Sequence, residues 1–346
     1  MTKIINPFKL LSAALLQGEN KKLFLVIVSF ALLMCISGVS SGKEMTPDGS
    51  CRALRCMARV YVSCGEYTKA LPLAQRALDL AETNEVSDSE LSSCLIELAW
   101  VCKALRQFDQ AQQVCERGLK LQKEVYDENH PYVAYTLRIL SSIYQGQGDY
   151  QKARDSLDQA MAIMLKNHSA DDQVMAPFKV DIAKLLVAQG NLAEAEVYYL
   201  NALDLINKSY GPNHLYTAGV NGDLAKLYVL QGKYDKAEPL ITQTLAVQEK
   251  VYGPNHHLMA PTLLTMARIQ QAKGDYVKTE TLYNQASATL EKTSTTKHYS
   301  TAAALDAQIL LYKEFGNVTK AAQARGQVEQ IRAINQTERT LIAKGI

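Results

Sequence analysis

Apolar residues in this chain recur at helical spacing in short runs, and glycines break the runs at regular intervals. Leu224, Leu227 and Tyr228 form one run before Gly232, and Leu240, Ile241 and Leu245 form another after it. The pattern predicts two antiparallel helices joined at the glycine, where a left-handed backbone costs little. Gly148, Gly190, Gly232, Gly274 and Gly316 stand 42 residues apart. One period before Gly148 lies Arg106, inside Leu105-Arg-Gln-Phe-Asp-Gln-Ala111, and 41 residues earlier stands Gly65. A common phrase follows these anchors, as in Gly65-Glu-Tyr-Thr-Lys-Ala70, Gly148-Asp-Tyr-Gln-Lys-Ala153 and Gly232-Lys-Tyr-Asp-Lys-Ala237. Such self-similarity predicts an all-α array of about seven helical hairpins over residues 50–335.

Seven residues before the anchors stand Ala58, Ala99, Ser141, Ala183, Ala225 and Ala267, with Ile309 as the exception. Small side chains there, and five after the anchor, let the two helices of a hairpin approach closely. The aromatic two after the anchor fills the space beside the turn. Pro72 and Pro239 share one phase, read as the first turn of the second helix, where a missing N–H does least harm. Tyr126-Asp-Glu-Asn-His-Pro131, Tyr210-Gly-Pro-Asn-His214 and Tyr252-Gly-Pro-Asn-His256 mark the connectors, with Asn placed to cap the next helix. His130, His214, His256 and His298 fall in successive connectors, each without a second ligand, so no metal or other cofactor is expected. Ile309 and Arg325 make the seventh hairpin the expected loosest. Residues 336–346 are expected to form a C-terminal capping tail, since terminal units need a polar outer face.

The first 41 residues break the period. Leu23 to Val39 is a stretch of 17 uncharged residues after Lys21-Lys22, followed by small residues up to Gly42. A basic flank, an apolar core and a small-residue exit predict either a secretory signal cut near Ser40 or Ser41, or an uncleaved membrane anchor. The protein is thus expected to be exported (periplasmic or extracellular) or held in the inner or plasma membrane by residues 23–39. Residues 42–49 then serve as a linker. Removing Lys3, Lys9, Lys21, Lys22 and Glu19 with residues 1–41 takes 37 basic and 35 acidic residues to 33 and 34. That balance gives no general attraction to nucleic acid.

Seven cysteines occur, and six remain once Cys35 is set aside with the leader. Six allow fifteen disulfide connectivities in an exported chain. No Cys-x-x-Cys is present, which removes zinc-ribbon and thioredoxin chemistry. Cys102 and Cys115 read as small core fillers.

The recurring phrases resemble the tetratricopeptide repeat, a stacked helix-turn-helix unit. The 42-residue period with Tyr-Gly-Pro-Asn-His is similar to the longer variant typified by kinesin light chains. The resemblance covers residues 50–335 and implies a right-handed α-α superhelix whose first helices line the concave side. It does not extend to kinesin cargo transport, because no heptad segment precedes the repeats.

Two enzyme motifs are absent: there is no Gly-x-x-x-x-Gly-Lys-Ser/Thr and no His-Glu-x-x-His. Carboxylates such as Glu194, Glu196 and Glu238 sit on solvated helix phases without a nucleophile, so no catalysis is expected. The first helices instead carry a cationic stripe. Six before the anchors stand Arg59, Trp100, Ser142, Lys184, Lys226 and Arg268; ten before stand Arg55 and Arg138. Arg52, Lys103 and Tyr135 lie one turn away on the same face. Proteins of the resembled family bind extended peptides there, which implies a protein or peptide partner, with an acidic or carboxylate-bearing segment favoured. Nine before the anchors, where kinesin-light-chain-like repeats often carry Asn, this chain has Glu97, Asp181 and Asp223. The family's ligand contacts therefore do not transfer wholesale. A competing expectation pairs Lys184 with Asp181 and Lys226 with Asp223 along their own helices. The functional expectation is a scaffold or adaptor; its alternative is a structural assembly subunit of a membrane-associated complex.

Overall fold

A computed structural model describes residues 46–63, 66–84, 86–254, 256–291, 305–306, 308–310, 312–313 and 318–343. Six hairpins run in order. They pair α1 (Pro47–Ser63) with α2 (Tyr67–Thr83), α3 (Asp88–Ala104) with α4 (Phe108–Tyr126), and α5 (Pro131–Gln147) with α6 (Tyr150–Asn167). Then α7 (Ala176–Ala188) pairs with α8 (Leu192–Tyr210), α9 (Leu215–Leu230) with α10 (Tyr234–Tyr252), and α11 (Ala260–Ala272) with α12 (Tyr276–Glu291). Helical residues 305–306, 308–310 and 312–313 pack Leu305 and Ile309 against Ala324, Val328 and Ile331 of α13 (Val318–Ala343), the described part of a seventh pair. There is no strand among the described residues. The leader, Gly65, Gly316 and His298 lie outside them. Helix α13 crosses residue 336 without interruption, so no break in the backbone marks a separate tail there.

The chain forms two compact units, Met1–Gly211 with α1 to α8 and Pro212–Ile346 with α9 to α13. In the first, α1 packs on α3, α3 on α5 and α5 on α7, so first helices neighbour one another.

The periodic residues do what the spacing requires. Ala58, Ala99, Ser141 and Ala183 in the first unit, and Ala225 and Ala267 in the second, are buried. So are Ala70, Ala111, Ala153, Ala195, Ala237 and Thr279 on the second helices. Ser141 also ties its hairpin by donating to the Ala153 carbonyl at 2.8 Å. The turn glycines Gly148, Gly190, Gly232 and Gly274 have φ of 85°, 83°, 72° and 80°. Arg106 holds the same place at φ 60°, a conformation that costs a non-glycine residue roughly 1–2 kcal/mol. Its guanidinium recovers part of that over the Phe108 ring, 5.5 Å from the centroid. Arg106→Gly is accordingly expected to stabilise the first unit by about 0.5–1 kcal/mol. A raised urea midpoint at unchanged slope is the expected result, and a lowered midpoint contradicts it.

Two local expectations are corrected. Pro72 and Pro239 sit at the sixth residue of α2 and α10, in the second turn. The connector histidine serves as the cap: His130 and His214, and not Asn129 and Asn213, cap α5 and α9, and His256 caps the short 3-10 turn His257–Met259 before α11. His130 Nδ1 accepts from Tyr132 N at 3.2 Å, His214 Nδ1 from Tyr216 N at 3.1 Å, and His256 Nδ1 from Leu258 N at 3.3 Å. Each ring is thereby committed to the backbone, and His130 and His256 also stack on Tyr126 and Tyr252.

Protonation removes the accepting lone pair. Burial lowers the proton affinity of His256 below the usual histidine value. The folded state then binds fewer protons than the unfolded one in the window below about pH 6.5, so stability is kept above that pH and lost as pH falls through it. His256→Asn retains a capping acceptor and is expected to flatten this dependence. Urea midpoints at about pH 5 and about pH 7.5 measure it; an unchanged slope in the variant contradicts it.

Candidate functional site

In the first unit, α1 supplies Arg52, Arg55 and Arg59, α3 supplies Trp100 and Lys103, α5 supplies Tyr135 and Arg138, and α7 supplies Lys184. In the second unit, Lys226 lies on α9 and Arg268, exposed, on α11. Most of these arginines have carboxylate partners one repeat further on. Arg55 Nη1 lies 3.3 Å from Glu90 Oε1, and Arg52 Nη2 lies 4.0 Å from Glu90 Oε2. Arg59 Nε donates to Glu97 Oε2. Arg138 Nε donates to Asp181 Oδ2 at 2.7 Å.

These acids are not solvated counter-charges. The side chains of Glu90 and Glu97 are 7% and 2% exposed. Burial is the main cause that pushes both carboxyls above the ordinary range, while the facing arginines pull the other way. The first three cations of the stripe are therefore inter-repeat ties as much as ligand groups. In the second unit, Lys226 Nζ pairs with Asp223 Oδ1 at 3.1 Å along its own helix, as the competing expectation had it. Asp181, by contrast, is held by Arg138 from the preceding repeat, a partner the same-helix expectation did not include.

Phe178 was not legible as a site residue. Its ring, fully buried on α7, lies under the Arg138 guanidinium at 4.9 Å and packs beside Tyr135 at 5.6 Å. The Tyr135 ring is 5.9 Å from the same guanidinium. Arg138 is thus fixed by two rings and one carboxylate, a rigid cation in a partly desolvated setting. A cation–acid spacing of 43 residues, one period plus one, would have signalled the Arg138–Asp181 pair; the Phe178 contact leaves no comparable mark.

Lys103 differs from its neighbours. Its Nζ donates to the Ser142 hydroxyl at 3.1 Å. Burial lowers its proton affinity; Asp181 acts against that, while Lys184 and Arg138 add to it by like-charge repulsion. Three cations from α3, α5 and α7 thus gather around one carboxylate that already holds Arg138. The arrangement offers hydrogen-bond donors and excess positive charge to an incoming anion. Among the described residues there is no group of three His, Cys, Asp or Glu placed to hold a metal ion.

A family model described as the MalT-like TPR region matches residues 127–343, and a tetratricopeptide-repeat model matches residues 49–124. The chain belongs to the MalT-like tetratricopeptide-repeat family. Its hairpins are the repeats of that family, and its longer period is of the kinesin-light-chain-like kind. KINESIN LIGHT CHAIN-RELATED 1 of Arabidopsis thaliana is 26% identical over 211 residues, covering 58% of this chain and 34% of that protein. The chain thus spans about a third of that relative's length. Among solved structures, a Rap protein complexed with Competence and Sporulation Factor is similar, with a TM-score of 0.67 and 14% identity. That likeness covers 93% of this chain and 89% of the other. BtubC (BKLC) from P. vanneervenii gives a TM-score of 0.50 at 20% identity, over 65% of this chain and 89% of that one. At these identities the structures establish a shared fold.

Proposed function

We propose that this tetratricopeptide-repeat chain is a non-catalytic scaffold or adaptor, and that the first helices of its N-terminal unit bind a protein or peptide segment carrying carboxylates. The observation behind this reading is Lys103, a half-buried ammonium whose close hydrogen-bond partner is the Ser142 hydroxyl. A ligand carboxylate placed there replaces hydration lost on burial and relieves the repulsion from Arg138 and Lys184. Tyr135 and Trp100 lie on the same helices and offer apolar contact to the flanking ligand residues. That a structure of similar fold holds the Competence and Sporulation Factor supports a peptide as the class of ligand.

The location belongs to the proposal: residues 23–39 export the protein or anchor it in the membrane. The described helices include none long and apolar enough to span a bilayer, and residues 1–45 lie outside the described set. Fractionation of the native protein tests the location, with recovery of intact residues 1–346 in the soluble cytoplasmic fraction as the contrary result. The ligand class is tested by selecting a random peptide library on the full chain and counter-selecting on Lys103→Gln. Enrichment of Asp, Glu or a free C-terminal carboxylate on the wild type alone is expected. Equal enrichment on both proteins overturns the site.

A further inference from the structure

The side chains of Cys51 on α1 and Cys94 on α3 lie within interaction range of each other. Cys51 also faces α2, donating its S–H to the Ala77 carbonyl at 3.4 Å. Both side chains are fully buried, at the place where the first hairpin packs on the second. The other buried thiols are placed differently: Cys115 faces the Thr136 carbonyl at 4.0 Å, and Cys102 lies nearer the end of α3. Of the fifteen connectivities open to six cysteines, this contact singles out one bond.

We propose that Cys51 and Cys94 are a disulfide site, which fastens α1 to α3 when the chain meets a small-molecule disulfide oxidant such as oxidised glutathione. One cysteine thiolate attacks a glutathione disulfide sulfur and releases one glutathione thiolate. The second cysteine thiolate then attacks the resulting mixed disulfide and releases the other. Two protein S–H bonds are lost, one S–S bond forms, and the glutathione disulfide is reduced to two thiols. Burial raises both thiols in the folded state, Cys94 to about 12, which makes them poor nucleophiles there. The bond therefore forms while the chain folds, or on opening of α1, and slowly in the closed protein. Once made, it holds the Arg52, Arg55 and Arg59 side of the first repeat opposite Glu90 and Glu97.

The test refolds the reduced full chain in mixed reduced and oxidised glutathione, alkylates free thiols and maps tryptic peptides without reduction. Trypsin releases residues 44–52, with Cys51, and residues 77–103, with Cys94 and Cys102. These two peptides are expected as one linked species, with fragmentation placing the bond at Cys94 and the alkyl group on Cys102. Reduced folded protein given the same mixture should form the species much more slowly. Alkylated Cys51, or Cys51 bonded to another cysteine, overturns the proposal. In Cys94→Ser the expected result is an alkylated Cys51 and loss of the rise in melting temperature that oxidation gives the wild type. Should that variant not fold, the wild-type peptide map decides alone.

Discussion

Phe178→Ala is expected to cost the first unit roughly 3–5 kcal/mol, the range for truncating a fully buried aromatic. The ring is 0% exposed and is among the largest fully buried side chains of the chain. Its loss leaves a cavity in α7 and also removes the surface on which Arg138 lies. Two readouts follow from that double role. Denaturant unfolding should move to a lower midpoint, and hydrogen exchange should quicken in α5 and α7 more than in α1. Phe178→Leu, which refills much of the volume, should recover most of the stability without restoring the cation–ring contact. A loss below about 1 kcal/mol for the alanine variant would mean that the ring is not in the core as described.

Arg59→Ala is the second large effect. From sequence alone Arg59 stands clear of the apolar packing face, and its removal would leave the helices undisturbed. The structure gives it a structural partner: the Arg59 side chain is 64% exposed but holds Glu97, whose side chain is 2% exposed and has a second oxygen, Oε1, without a hydrogen bond. Taking Arg59 away leaves a buried carboxylate with Arg55 as its remaining cationic neighbour. The expected cost is about 1–3 kcal/mol, kept at the lower end of buried-pair values by solvent access at Arg59.

The pH dependence carries the sign. Glu97 has a raised folded pKa, so the folded state holds its proton where the unfolded state has released it. Its contribution to stability is complete below the unfolded value near 4.3 and declines as pH rises through the raised folded value. Arg59→Ala raises the folded value further and steepens that decline. Adding Glu97→Gln should remove it and recover most of the lost stability. Additive costs in the double variant would show that the two side chains do not interact.

The hairpins were legible because their determinants are local and periodic. Ala183 and Ala195 admit a close helix pair, Gly190 turns it, and the same three residue types return 42 positions later. Arg106 was legible as an anchor despite lacking the glycine, and its positive φ agrees. The caps were read one residue off, because an asparagine side chain and a histidine Nδ1 are equivalent acceptors on paper. Asn129 instead turns back on Asp127, donating its backbone N–H to Oδ1 at 2.7 Å. In the sequence the candidate site is a set of positions assigned to one helical face, and the partners of its charges are not visible there. Pairing within a helix is visible at spacings of three and four, whereas Arg138–Asp181 and Arg59–Glu97 cross from one repeat to the next. Once those pairs form, the cationic stripe of the first unit centres on Lys103.

The central claim is that a peptide carboxylate binds at Lys103. Calorimetry with a peptide selected on the full chain, run on wild type and Lys103→Gln at about 50 and about 300 mM salt, tests it most directly. The account predicts a loss of at least tenfold in affinity for the variant at both salt concentrations, because a partly buried contact is weakly screened. Equal affinities for the two proteins at both salt concentrations would contradict it.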